Sequence, residues 1–427
     1  MGSELLFFGI FLVLLLIGAP VATALGFTSV ILMWHFDLGI KSFSATFYSG
    51  VAKFQLLALP FFILAGLIID RCGIAKRLIN FVSLIIGSIS GGLAIVTVIV
   101  GGIFAGISGS GPADTAALGA ILFPAMVAKG YDRGFAAALI ASSGSLAIVI
   151  PPSIAFIVYG VITNTSIPAL FAAGAIPGII TGLLIIIPSY LLARKYGWRG
   201  ERWGTSREIW QAFKEAFWGL LAPVVVLSGI YGGIFTPTEA AVVAVFYGLF
   251  VGLFVYRSLT VTALYGIFRD ALLSSAVVMI IVAFAGIYSW SGSTLGVMDR
   301  SASGIIFFSA NPTVVLLLIN LMLLIAGMFM DAISIYYVFL PILLPIMKHF
   351  GWDPVWFGVV MTLNLAIGQI TPPVAVNLYV IANIGGLSLE RISQSIVPFV
   401  VIMLVALILT MFVPALSIYL PAVFGLK

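Results

Sequence analysis

The chain has 427 residues, of which 62% are hydrophobic and 8% charged, and its net charge at pH 7 is +5. Soluble domains carry about a quarter charged residues, so a soluble domain is excluded. The apolar runs are longer and more continuous than the ~10-residue alternating strands of a membrane barrel. What remains is an all-α polytopic membrane protein.

In chain order, the first apolar run resembles the core of a signal peptide, but no basic segment precedes it and Glu4 stands there instead, so it reads as a retained helix. Against the ~20 residues needed to cross a bilayer, the sequence predicts spans near 4–18, 20–36, 47–69, 133–162 and 168–192 in the first half. The second half gives 215–235, 237–256, 264–290, 354–383 and 395–424.

Between the third and fourth spans of each half lies an extra segment, 87–128 and 304–347, with two apolar arms and a break at Gly106–Pro112 or Gly327–Asp331. The second arms, read as about 16 residues, reach about 24 Å at ~1.5 Å per residue, short of the ~30 Å hydrocarbon core. They predict re-entrant hairpins that stop inside the membrane. Non-helical backbone survives at that depth only inside protein or beside a cavity.

The segment Ala105–Pro152 recurs 221 residues later as Ala326–Pro373, with ten identical positions in 48, among them Gly106, Pro124, Asp132, Pro151 and Pro152. Interrupted apolar segments at matching positions of two halves point to the binding site of a secondary transporter. The domains read as a first repeat over 1–192, a cytoplasmic amphipathic linker over 193–216 and a second repeat over 217–427.

Orientation follows from basic residues. With the linker (Arg194, Lys195, Arg199, Arg202, Arg207, Lys214) placed in the cytoplasm, 14 of the 19 Lys and Arg fall inside and only Lys41, Lys53, Arg300, Lys348 and Lys427 outside. Five spans per half then make the repeats inverted and put both termini in the periplasm. The +5 charge is mostly this cytoplasmic excess and needs no nucleic acid. Glu201, Glu208 and Glu215, with Trp198, Trp203, Trp210 and Trp218, suggest that the linker is an interfacial helix.

The breaks expose Ser108, Gly109, Ser110 and Gly111; Ser142, Ser143, Gly144 and Ser145; Gly327 and Asp331; and Asn364, Gly368, Gln369 and Thr371. Hydroxyl, amide and free carbonyl oxygens suit a hard cation such as Na⁺, and half-helix N-termini suit a carboxylate. A lone serine in a membrane helix is more often a packing residue, so the argument rests on the clusters. Asp331 is the strongest acidic candidate, followed by Asp114 and Glu239, whereas Asp132 and Asp353 look like helix caps.

The G-x-S-G at Gly106–Gly109 raises an intramembrane serine hydrolase using Ser108, but the only histidines, His35 and His349, lie at span ends far from the tips. The sole cysteine, Cys72, excludes an internal disulfide. No G-x-x-x-x-G-K-[ST] loop is present, so ATP is not the direct energy source.

The run GISGSGPADTAALGAILFPAM, the later SGS and PPS, and MDA, PILLP and QITPP in the second half resemble the large membrane subunit of a TRAP (tripartite ATP-independent periplasmic) transporter. The resemblance covers nearly the whole chain. It implies an elevator-type transporter of the ion-transporter superfamily in the bacterial inner membrane, importing an organic acid (sialic acid or C4-dicarboxylate class) with Na⁺. It also implies a small four-helix membrane subunit and a periplasmic substrate-binding protein as partners.

Carried onto this sequence, the resemblance implies a first Na⁺ site at Ser108, Ser110, Ser143, Gly144 and Ser145 and a second at Gly327, Asp331, Asn364 and Thr371. Substrate would lie between the tips, near Ser108, Ser110, Thr115, Asn164, Asn364 and Asn377. A stand-alone Na⁺/dicarboxylate symporter of the same superfamily is the alternative within transport.

Overall fold

The structure is a computed structural model that describes residues 2–198, 200 and 202–426. Met1, Arg199, Glu201 and Lys427 lie outside the described residues, and with them the charge placements assigned above to Arg199, Glu201 and Lys427. Among the described residues the regular structure is entirely helical.

The first half begins with α1 (Gly2–Leu16) and α2 (Val21–His35), the latter started by Pro20, whose fixed φ suits a helix entry. The span expected over 47–69 is two pieces, α3 (Ser42–Val51) and α4 (Ala58–Arg71), joined through a 3₁₀ turn at Phe54–Leu57. Then come α5 (Ile74–Ile86), α6 (Gly92–Ser108) and α7 (Gly111–Ala128). The span over 133–162 is broken at Pro151-Pro152 into α8 (Arg133–Ser145) and α9 (Ile154–Thr163), and α10 (Ile167–Tyr196) follows.

The second half runs through α11 (Ser206–Tyr231), α12 (Pro237–Phe250, continued by a π turn at Val251–Val255), α13 (Val261–Thr294) and α14 (Val297–Phe308). Next are α15 (Pro312–Gly327), α16 (Ala332–His349), α17 (Pro354–Gly368) and α18 (Val376–Gly385), the last two separated at Pro372-Pro373. The final expected span is α19 (Leu389–Phe412) and α20 (Ala415–Val423), parted at Pro414, which cannot donate the hydrogen bond that would carry α19 onward. Both Pro-Pro peptide bonds are cis.

Eight helices are long and apolar enough to cross a membrane by themselves, and eight more are apolar but shorter. Two of the eight long ones are the second hairpin arms, α7 and α16, each 18 residues rather than the 16 expected. Asp132 and Asp353 cap α8 and α17, accepting from Phe135 N and from Val355 N and Trp356 N.

The linker differs from the expected surface helix. Thr205 and Glu208 form a capping box that starts α11 at Ser206, and the helix then runs unbroken into the apolar segment. Trp198 is buried, stacked on Tyr131 at 4.6 Å between ring centroids, while Trp203 and Trp210 are exposed. The linker therefore packs through Trp198 on the loop between α7 and α8.

Two packed groups emerge. Helix α8 packs on α7, α18 and α19, with α18 also on α7, and α13 packs on α2, α3 and α4, with α4 also on α12. Helix α6, which packs on α7 and α8, joins the first group to α4, and α13 also packs on α16 of the second hairpin.

Candidate functional site

Helix α6 stops at Ser108 because Gly109 adopts φ +65, the left-handed region that suits glycine. A Cβ on Gly109 would stand 2.7 Å from Pro152 O, and Gly109 O accepts from Ile154 N at 3.3 Å, so the α6–α7 tip is held on the α8–α9 break. The α15–α16 tip makes the corresponding contact: Met328 O accepts from Val374 N at 3.2 Å and Ala375 N at 3.3 Å, at the α17–α18 break. Each tip borrows the free N–H groups of an interrupted helix, which answers the demand for satisfied backbone at membrane depth.

The tips meet at a cavity of about 610 Å³, within the range of small-molecule sites. Its walls include Ser108, Ser110 and Gly111 from the first tip, Asp331 and Ile333 from the second, and Gln369 from the second break. The face of α4 (Gly66, Asp70) and two residues of α13 (Ser274, Val278) close it. Among the described residues no lysine, arginine or histidine lines it.

Ser108 and Ser110 both reach the cavity. The Ser108 hydroxyl donates to Asp114 Oδ1 and accepts from Ser110 N at 3.2 Å. Asp114 is fully buried, and its other oxygen has no partner. Ser110 is the N-cap of α7 but makes no side-chain cap, so its hydroxyl is free to serve the cavity.

Asp331 is the N-cap of α16, accepting from Ile333 N, Ser334 N and the Ser334 hydroxyl, and it lines the cavity. Gly327 lies against Gly368, where a Cβ on either would come within 3.0 Å of the other's backbone.

Thr115, Ser143, Gly144, Ser145, Asn364, Thr371 and Asn377 lie behind the wall. Thr115 donates to Gly111 O at 2.9 Å, and a Cβ on Gly144 would strike its Oγ1 at 2.2 Å. Ser143 and Ser145 donate to Leu139 O and Ser142 O of their own helix, as Thr371 does to Ile367 O. Asn377 Nδ2 donates to Ala141 O at 3.2 Å, tying α18 to α8, while its carbonyl oxygen is buried without a partner.

Asn164 and Glu239 stand elsewhere. Asn164 ends α9 in the left-handed conformation, exposed, ~15 Å from Ile154 by helix rise. Glu239 completes an exposed capping box with Thr236 at the start of α12. Neither lines the cavity: Glu239, expected at membrane depth, and Asn164, implied by the resemblance, both stand exposed at helix ends. His35 and His349 do not line it either.

The sequence reading passed over three residues. Asn320 of α15 accepts twice from Asn364 Nδ2, at 2.8 and 2.9 Å, and fixes that amide. Gln369, grouped with the second break but given no role, lines the cavity with its carbonyl oxygen unpartnered. Asp70, which ends the apolar run of α4 beside Arg71, also lines the cavity.

Comparison with known proteins shows the family of the chain. The family model described as "Tripartite ATP-independent periplasmic transporter, DctM component" matches residues 8–416. The chain is 40% identical to the isethionate TRAP transporter permease protein DctMQ of Oleidesulfovibrio alaskensis, covering 96% of this chain and 65% of that longer relative. It is 35% identical to the C4-dicarboxylate TRAP transporter large permease protein DctM of Rhodobacter capsulatus, covering 99% of this chain and 100% of the relative. It is 36% identical to the sialic acid TRAP transporter large permease protein SiaM of Vibrio cholerae, covering 96% of each. The YdaH transporter of Alcanivorax borkumensis shares the fold, with a TM-score of 0.61 at 12% identity over 92% of this chain and 90% of that one.

Proposed function

The chain belongs to the DctM family of tripartite ATP-independent periplasmic transporters, and from that premise we propose that it is a Na⁺-coupled secondary importer of an organic acid of the sialic acid or C4-dicarboxylate class. The observation that carries the proposal is the cavity where both hairpin tips meet beside two interrupted helices. Anion binding without a cationic side chain is supported by the first turns of α7 and α16, whose N-termini open on the cavity and carry partial positive charge.

The donor set fits Na⁺. Buried oxygens at Ser108, Ser143, Ser145 and Asn364, half-buried hydroxyls at Ser110 and Thr371, the Asp331 carboxylate and the glycine backbones at Gly144 and Gly327 are hard oxygen ligands. Na⁺ bound there would hold each tip to its break and offset the carboxylates nearby. The solute then binds beside an ordered tip, which makes its affinity depend on Na⁺.

Translocation is a movement of the group that carries the hairpins (α6–α9 and α15–α18) against the scaffold built by α1, α2, α11 and α12, in an inner-membrane protein whose termini face the periplasm. The proposed partners are a small four-helix membrane subunit and a periplasmic binding protein that delivers the solute. A cysteine cross-link that locks the scaffold to a hairpin without loss of uptake would sink this motion.

The deciding experiment is uptake into proteoliposomes containing this chain and its small subunit, under an imposed Na⁺ gradient, with and without the binding protein. Uptake that requires both supports the tripartite importer. Uptake of free acid without the binding protein favours the stand-alone symporter, and uptake indifferent to Na⁺ defeats the coupling proposal.

A further inference from the structure

Two carboxylates line the cavity, and they differ in what they do. Asp331 is spent on its own helix: its oxygens accept from Ile333 N, Ser334 N and the Ser334 hydroxyl. The Asp70 carboxylate makes no side-chain hydrogen bond or ion pair with another described residue, although it is half-buried and stands in the cavity wall beside its chain neighbour Arg71. Its position is fixed by close packing. Four residues earlier on the same face of α4, Gly66 lies on the first tip, where a Cβ would come 3.3 Å from Ser108 Cα. Asp70 therefore sits about one turn, ~6 Å, along α4 from that contact.

No lysine, arginine or histidine stands in the wall, and Arg71, which acts on Asp70 electrostatically, lies outside it. A solute that enters with its carboxylate toward the N-termini of α7 and α16 presents its remaining groups to a wall whose one uncommitted charge is negative. A second carboxylate meeting Asp70 in a partly dehydrated space is repelled, whereas a hydroxyl or ammonium group gains a charge-assisted hydrogen bond. Specificity is a difference of affinities, and a repulsive element against the competitor supplies it as well as an attractive one for the ligand.

We propose that Asp70 is a specificity-determining residue that rejects dicarboxylates, so that the solute is a monocarboxylate carrying hydroxyl or ammonium donors on its remaining skeleton. The inference rests on the transporter reading above and narrows it: of the two acid classes left open there, it keeps the polyhydroxylated sialic acid type and removes the C4-dicarboxylate type. Gln369, the one side chain of the wall with N–H donors, remains for the solute's neutral oxygens.

The test uses the purified chain with its small subunit in saturating Na⁺, and reads the solute concentration that gives half of the rise in melting temperature. The probes are succinate, 4-hydroxybutyrate and 4-aminobutyrate, which share a four-carbon skeleton, together with sialic acid. The proposal expects at least one donor-bearing monocarboxylate to act at a tenfold lower concentration than succinate, and Asp70→Asn to reduce that preference at least tenfold. Asp70→Ser stands in if Asp70→Asn does not yield folded protein.

Succinate acting as well as every donor-bearing acid, a preference unchanged in both variants, or no response to any donor-bearing acid would each overturn it. A separate Na⁺ titration without solute reports on the coupling proposal, so a missing Na⁺ response and a missing Asp70 effect are told apart.

Discussion

Gly327 and Gly368 touch backbone to backbone: a Cβ on Gly327 would lie 2.9 Å from Gly368 Cα, and one on Gly368 would lie 2.7 Å from Gly327 Cα. The second hairpin tip and the second helix break are thus joined at a point where neither residue can carry a side chain. Because the obstructing atoms are main chain, they cannot swing aside as a flexible side chain would.

Gly327→Ala and Gly368→Ala are each expected to lower stability by about 1–3 kcal/mol through overpacking and to weaken Na⁺-dependent uptake, since the tip must shift to admit the methyl group. Na⁺ titration of melting temperature checks this. A variant with normal Na⁺ response and normal uptake would show that the close approach is packing alone.

Asp331 has two tasks that a single substitution separates. As the N-cap of α16 it is expected to cost about 0.5–2 kcal/mol of stability on replacement by Ala. Asp331→Asn keeps a capping oxygen and loses the charge, so it retains most of that stability while raising the Na⁺ concentration needed for half-maximal uptake. Equal Na⁺ dependence in Asp331→Asn and the parent would reduce the residue to a cap.

Asn320 and Asn364 form a buried link between α15 and α17, with Asn364 Nδ2 reaching both Asn320 O and Asn320 Oδ1. Asn320→Leu leaves the Asn364 amide with one of its two acceptors, at a cost of about 1–3 kcal/mol for buried polar groups left unpaired. The expected functional consequence is a lower Na⁺ affinity, because the Asn364 carbonyl oxygen, which is buried without a partner, loses its fixed direction. Uptake measured over a Na⁺ series reads the effect directly.

Asp132 joins the α7–α8 loop to α19 through Arg391, at 3.1 Å. Burial pushes the Asp132 carboxyl up, but Phe135 N and the Arg391 guanidinium outweigh it and hold the group below its ordinary value. A lowered folded-state value means that the contribution to stability is complete above the ordinary aspartate range near ~3.9. It is lost as pH falls through the lower folded value. The pair is about half exposed, so screening limits it to about 1 kcal/mol or less. The melting temperature of Asp132→Asn is therefore expected to fall below that of the parent at neutral pH and to converge with it in acid.

The local signals in the sequence translated well wherever a few neighbouring residues decide the outcome. Asp132 and Asp353 cap their helices because a carboxylate beside free N–H groups needs no distant partner. Pro151-Pro152 and Pro372-Pro373 interrupt their spans because proline removes donors from a helix wherever it lies. The capping box at Thr205 and Glu208 was equally local, but the linker was read from its tryptophans and charges, and the cap that turns its second part into α11 was missed.

Composition, hydropathy and the spacing of breaks determined by themselves that this is a helical membrane protein with paired interruptions, because the bilayer imposes the same demand on every segment that enters it. The tertiary structure alone decided which interrupted segments meet, which hydroxyls face the cavity and which bond back to their own helices, and that Asp70 joins the wall while Asn164 and Glu239 do not. Those outcomes depend on contacts between residues as far apart as Gly66 and Ser108, or Gly111 and Gln369, where packing at the distance of a missing Cβ sets the geometry. No pattern along the chain encodes that distance.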